Sequence, residues 1–192
     1  GKRPDLSTFA ELIAVAKANR GKLNYGTPGA ATVHHLTMEM FSRAAGIEMT
    51  HVPYKGAGPA LSDLIAGHID VMPGAEPSAK SHINAGTVKA LAVFSPQRIP
   101  GLPNVPTSRE AGVPFEMSFW WGVMVPGRTP PEVVNAISAA TMSAIRDPDM
   151  RKKMIEAGVT PIGGTVREFE GFFREQYDGW GSVLPGLGLK AR

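Results

Sequence analysis

Twice within the first seventy residues, a short β-leaning run passes through a loop of small residues into a segment with helical spacing. In the first unit, Asn24 and Tyr25 enter "GTPGAAT"; Val33, Leu36, Met40 and Ala44 then recur on one face before a stop at Gly46. In the second, "EMTHVPY" runs through Lys55 and Gly56 into a helix with Pro59 near its start. Leu61, Leu64 and Ile65 mark the buried face of that helix, and Gly67 its end. An apolar period that switches repeatedly from two to 3.6 prescribes strand–helix units. Such units form an α/β architecture, a mostly parallel sheet flanked by helices.

The remaining elements follow the same logic. Thr8 with Glu11 makes a capping box that opens a helix carrying Phe9, Leu12, Ile13 and Ala16. "HIDVM" reads as a short strand, "PSAKSHINAG" as a short helix, and "VKALAVF" as a strand buried on both faces. Residues 95–106 form a proline-rich excursion, followed by a brief helix over 107–111. "MSFWWGVMVP" reads as an aromatic strand on which Trp120 and Trp121 alternate, one toward the core and one away. Pro130 and Pro131 open a helix, residues 150–157 form another, and "VTPIGG" is a strand or turn. Thr165 and Glu168 cap a last helix bearing Phe169, Phe172, Phe173, Gln176, Trp180 and Leu184. After the aromatic strand there are too few strands for a second sheet, yet the helices have apolar faces to bury. The expectation is therefore a boundary at the strand "MSFWWGVMVP", with the segment beyond it belonging to a domain whose remainder lies outside this sequence.

Charge and composition narrow the function classes. The net charge of +3 is spread along the chain, and Arg151, Lys152 and Lys153 stand among Asp147, Asp149 and Glu156. That is a solvated helix face, not a nucleic-acid stripe with interleaved aromatics. No apolar run reaches the roughly 20 residues that span a bilayer, so the chain is not expected to be membrane-embedded. The first residues carry no secretory signal pattern, so an exported protein would need its signal outside this sequence. There is no cysteine, which removes disulfides, thiol catalysis and cysteine-held metals. His34 and His35 are adjacent and diverge by about 100° on a helix. His51, His68 and His82 stand apart with no metal-ligand spacing, so no metal and no cofactor is implied.

The two loops remain as the carriers of chemistry. Gly26 and Gly29 permit positive φ and close backbone approach, and Thr27 and Thr32 add hydroxyls. A helix starting near Thr32 presents unpaired N–H groups and the positive end of its dipole. The loop has no Walker lysine and not the full dinucleotide glycine pattern. It reads either as a capped strand-to-helix turn or as an anion cradle. In open α/β sheets ligands sit beyond the carboxyl ends of strands, where Tyr54, Lys55 and Gly56 form a neighbouring strand end. Lys55 there is either a solvated lysine or a partner for a carboxylate. An enzyme would need a base near Thr27 or Thr32, which only His35 or Glu76 is placed to supply.

Four stretches in this order, "NYGTPGAATVHHLTMEMF", "HVPYKGAGPALSDLIAGHIDVM", "VKALAVFSPQRIPGLPNVPTSREAGVP" and "WWGVMVPGRTPPEVV", resemble the Bug (TctC-type) solute receptors of tripartite tricarboxylate transporters. The resemblance runs through nearly the whole chain. It implies a periplasmic binding protein of type II-like fold, present here without the N-terminal part of lobe 1. Residues 1–119 would be the second lobe, and residues 120–192 would return to complete the first, with a hinge near residues 120–125. It further implies a non-catalytic receptor, exported to the periplasm, that hands a small carboxylate to membrane permease subunits. Gly26, Thr27, Gly29, Ala30 and Thr32 would cradle the carboxylate through N–H groups and hydroxyls, with His35 behind them and Tyr54, Lys55 and Gly56 lining the adjacent strand end. Two features depart from the family pattern: Ala31 stands where a second glycine is usual, and "PGAEP" replaces an aromatic followed by Asp or Asn. A sensor presenting its ligand to a two-component kinase, and an enzyme acting on small acids, are the rival readings.

Overall fold

The computed structural model describes residues 6–183, and the chain divides into two units between Phe119 and Trp120. At the start of the first unit the capping box forms. Thr8 Oγ1 accepts the Glu11 N–H at 3.1 Å, and Glu11 Oε2 accepts the Thr8 N–H at 2.8 Å. Helix α1 (Phe9–Ala18) then turns Phe9, Leu12 and Ala16 inward. Strand β1 (Asn24–Thr27) is followed by helix α2 (Val33–Ala45), which ends on Gly46 in the left-handed conformation. Strand β2 (Thr50–Pro53), helix α3 (Ala57–Ala66) and helix α4 (Glu76–Asn84) complete the regular elements of this unit.

β1 and β2 pair in parallel, with Tyr25 opposite His51 and Thr27 opposite Pro53. A single parallel bridge from Tyr25 to Val71 extends the sheet on the other side of β1. β1 is therefore central, and the apolar segments around it close the core. Leu12, Leu23, Tyr25, Met38 and Phe41 lie there with Val113 and Phe115. Phe94 packs edge-on against Phe115, with centroids 5.0 Å apart, and against Phe41 at 5.2 Å.

Several expected elements take another form. "HIDVM" contributes only its Val71 bridge, and "VKALAVF" only a bridge from Val93 to Thr107. Residues 108–112 form turns where a helix over 107–111 was expected, held by Glu110, which accepts the Thr107 N–H and the Arg98 guanidinium. Residues 117–126 are not a strand. On α3, Ala60 is the buried residue, while Leu61, Leu64 and Ile65 are half-buried. In each lost strand the apolar pattern is real, but a ladder needs a partner strand as well as apolar residues.

The second unit is helical among the described residues: α5 (Pro131–Arg146), α6 (Pro148–Glu156) and α7 (Val166–Val183). Asp147 caps α6 through the Met150 N–H at 2.8 Å, and Thr165 with Glu168 forms the second capping box. The Trp120 ring stands edge-on to Phe169, Phe172 and Phe173 of α7, while Trp121 is 73% exposed. The two tryptophans diverge as alternation requires, without a strand to carry them. Leu184 lies outside the described residues.

Candidate functional site

Where β1 ends, its backbone runs past neighbours that leave no room for a side chain. A Cβ on Gly26 would stand 2.3 Å from Ile69 Cδ1 and 3.2 Å from the Tyr54 ring. Gly26 is thus needed for close approach rather than for positive φ. Neither Gly26 nor Gly29 adopts positive φ; Ala31 does, at +57°.

Between these points the loop is tied to itself. Thr27 is fully buried, and its Oγ1 donates to the Gly29 carbonyl at 3.0 Å. Thr32, the N-cap of α2, donates its hydroxyl to the same carbonyl at 2.8 Å and accepts the His35 N–H. Both threonine hydroxyls therefore converge on one peptide oxygen. A peptide unit is planar and trans, so its C=O and N–H point in opposite directions. Fixing the Gly29 carbonyl inward aims the Ala30 N–H the other way. At the start of α2 the Val33 and His34 N–H groups precede the first intrahelical acceptors, as in any helix, and carry the positive end of the dipole.

The second loop joins the first. The Tyr54 N–H donates to the Thr27 carbonyl at 2.9 Å and the Gly56 N–H to the Pro28 carbonyl at 3.0 Å. Lys55 is exposed on the turn between them, and Gly56 has a φ of +123° as the N-cap of α3. The Tyr54 hydroxyl donates to Asp63 Oδ2 at 2.7 Å, and His68 Nδ1 lies 3.2 Å from Asp63 Oδ1. Burial and Asp63 push the Tyr54 hydroxyl up to about 12; its hydrogen bond in turn holds Asp63 below the ordinary carboxylate range.

Under the loop lies a group that sequence spacing does not reveal. His35, 7% exposed, accepts the Ala31 N–H on Nδ1 at 3.0 Å. Its ring stacks on His51 with centroids 3.7 Å apart. His51 Nε2 is 2.7 Å from Thr27 Oγ1, and Tyr25 lies beside both rings, 5.0 Å from His51 and 6.3 Å from His35. The Tyr25 hydroxyl donates to Glu39 Oε1 at 2.5 Å, and that carboxylate lies 3.8 Å from His35 Nε2. Burial lowers both histidines, His51 to about 4 with help from His35, and burial with Glu39 pushes the Tyr25 hydroxyl far up. His51 stands apart in sequence, yet the parallel register of Tyr25 with His51 delivers it to the loop. His34 diverges from His35 and meets the Phe119 ring at 5.0 Å.

Of the nine sequence-predicted residues, Gly26, Thr27, Gly29, Ala30, Thr32, Tyr54, Lys55 and Gly56 thus sit on two joined loops beyond strand ends, and His35 lies on α2 beneath them. Among the described residues no three His, Cys, Asp or Glu side chains gather as a metal site, and no helix is long and apolar enough to cross a membrane.

The family model of the tripartite tricarboxylate transporter family receptor, TctC, matches residues 3–189. The chain belongs to that family. A protein encoded in the tcbD–tcbE intergenic region of Pseudomonas sp. strain P51 is 37% identical over 185 residues, covering 95% of this chain. This chain spans 55% of that relative's length. Protein BugT of Bordetella pertussis is 30% identical over 188 residues, 97% of this chain and 58% of its own length. Among solved structures, a periplasmic transporter at 37% identity superposes with a TM-score of 0.86, covering 96% of this chain and 61% of its own. Rpa4515 of R. palustris with adipate gives a TM-score of 0.84 at 32% identity, covering 97% and 63%. MatC from Rhodopseudomonas palustris with bound malate gives 0.72 at 30% identity, covering 83% and 54%. The α/β periplasmic binding protein fold expected from the sequence is the fold of this TctC-family chain.

Proposed function

We propose that this chain is the carboxylate-gripping part of an extracytoplasmic solute receptor. It binds a small carboxylate without turning it over and passes it to the permease subunits of a tripartite tricarboxylate-type transporter in the periplasm. The observation that carries this reading is the Gly29 carbonyl held by both Thr27 and Thr32, which leaves the Ala30 N–H and the α2 N-terminus as a cluster of donors. Such a cluster suits a carboxylate, which only accepts hydrogen bonds and is drawn to a helix N-terminus. Two relatives of this fold hold adipate and malate, both dicarboxylates.

The threonines act through the loop's shape, since their hydroxyls are engaged within it, and the grip comes from backbone N–H groups. Tyr54 supports the second strand end through Asp63, and Lys55 supplies positive charge at its rim. Residues 1–119 serve as one lobe, and residues 120–192 return to complete another about a hinge near residues 120–125.

A thermal-shift screen against mono-, di- and tricarboxylates, adipate and malate included, tests the reading. At least one acid is expected to raise the unfolding midpoint by mass action. Thr32→Val, which frees the Gly29 carbonyl from one of its two donors, is expected to reduce that shift while the chain stays folded by circular dichroism. A panel with no responding acid, or a Thr32→Val chain that responds like the parent, would sink the cradle.

A further inference from the structure

The stacked histidines under the loop do more than fill space. Each ring holds one side of the loop: His35 through the Ala31 N–H, His51 through Thr27 Oγ1. The titratable groups facing the pair are Glu39 on α2 and Tyr25 on β1, which are bound to one another. Thr27 has a single hydroxyl proton. When that proton goes to the Gly29 carbonyl, the short contact at 2.7 Å requires His51 to donate from Nε2. His35 has the same tautomer for a different reason. Its Nδ1 accepts, so its proton sits on Nε2, on the side of Glu39.

His35 is thus needed neutral by its own bond, and His51 by the ring stacked on it. A proton added at His35 Nδ1 would set one N–H against the Ala31 N–H and break that bond, at the residue already held at positive φ. A proton added to His51 would place a cation face to face with His35 at 3.7 Å. A phenylalanine at 51 would stack as well, so the ring nitrogen is the part that serves the loop.

We propose that His51 is a positioning residue for the carboxylate loop, and that His51 and His35 form one proton-sensitive support whose protonation loosens the loop and releases the ligand. The proposal rests on the carboxylate reading given above. His51 touches Thr27 rather than the ligand, so it acts on affinity through loop order. A receptor built this way holds its ligand at neutral pH and lets it go as pH falls toward about 4, the folded value of His51.

The test combines two readouts on the full chain. Isothermal titration with adipate and malate between pH 7.5 and 4 measures affinity, with parent and variants compared at each pH because the ligands' own carboxyls protonate toward the lower end. Amide hydrogen exchange at Ala31 and Gly29, without ligand and corrected for the intrinsic pH dependence of exchange, measures loop order. The unaltered chain is expected to lose affinity and Ala31 protection together as pH falls. His51→Phe keeps the stack but not the bond, and is expected to weaken binding about tenfold at pH 7.5, the worth of one lost buried hydrogen bond. His51→Gln, which reaches Thr27 with an amide and does not titrate, is expected to restore binding to within about twofold and to shrink the acid loss. Circular dichroism confirms that each variant is folded. Equal affinity and equal Ala31 protection in His51→Phe and the parent would overturn the positioning role. So would an acid loss undiminished in His51→Gln. A parent chain that binds no carboxylate at any pH overturns the carboxylate reading instead, and the exchange data, which need no ligand, separate that failure from the other.

Discussion

Ala31 adopts a φ of +57° in the middle of the loop, a region where an L-residue with a Cβ is strained. Its N–H is held by His35 and its successor caps α2, so the surrounding bonds impose the conformation. Replacing Ala31 with glycine removes the strain and keeps both bonds. Ala31→Gly is expected to stabilise the chain by about 0.5–1 kcal/mol, a rise of about 2 °C in the unfolding midpoint. A fall in the midpoint on differential scanning calorimetry would mean that the Cβ itself packs usefully. The loop was legible in the sequence because its ingredients are local: small residues, an N-cap threonine and an apolar period beginning at Val33. Which residue turns left-handed was not legible. Glycines permit positive φ without requiring it, and Gly26 is used instead for its missing side chain against Ile69 and Tyr54.

At the scale of elements, the longer helices were readable to within a few residues because caps and stops act within one turn, while the brief helix expected over 107–111 did not form. The capping boxes at Thr8 and Thr165 and the left-handed Gly46 all lie where local rules put them. Among the expected strands β1 and β2 form and the others do not, since an apolar pattern states which face is buried and leaves open whether a ladder partner exists. The segment "MSFWWGVMVP" shows what an aromatic run does instead: it lays Trp120 against three phenylalanines of α7. That packing brings the Phe169 ring over Gly122, where an added Cβ would stand 2.2 Å from Cζ and 2.7 Å from Cε2. A planar ring held against Trp120 has little freedom to yield. Gly122→Ala is therefore expected to destabilise the second unit by about 1–3 kcal/mol, as overpacking does. Tryptophan fluorescence followed through urea unfolding would register it as a lower midpoint. An unchanged midpoint would mean that Phe169 is free to leave the cluster.

For the molecule as a whole, pH sets the balance between buried neutral groups and paired charged ones. His34, His35 and His51 are lowered by burial, so between their ordinary value of 6.5 and their folded values the unfolded chain binds more protons. Stability is then full above pH 6.5 and is lost as pH falls toward about 4, the folded value of His51. Asp63, Glu110 and Glu168 are lowered by their hydrogen bonds, so their contribution is lost in turn as pH falls below the ordinary carboxylate range. On the alkaline side, Tyr25 is raised by burial and by Glu39. Its contribution is whole below its ordinary value of 10 and declines above it. The curve should therefore be flat from about pH 6.5 to 10, with an acid limb that begins with the histidines rather than with the carboxylates. Urea midpoints taken at half-unit steps from pH 4 to 8 check this. His51→Gln removes one of the three desolvated titrating rings, and its acid limb is expected to be shallower above pH 5 than the parent's. If the two limbs coincide there, His51 does not carry the early acid loss, and the carboxylates must account for it.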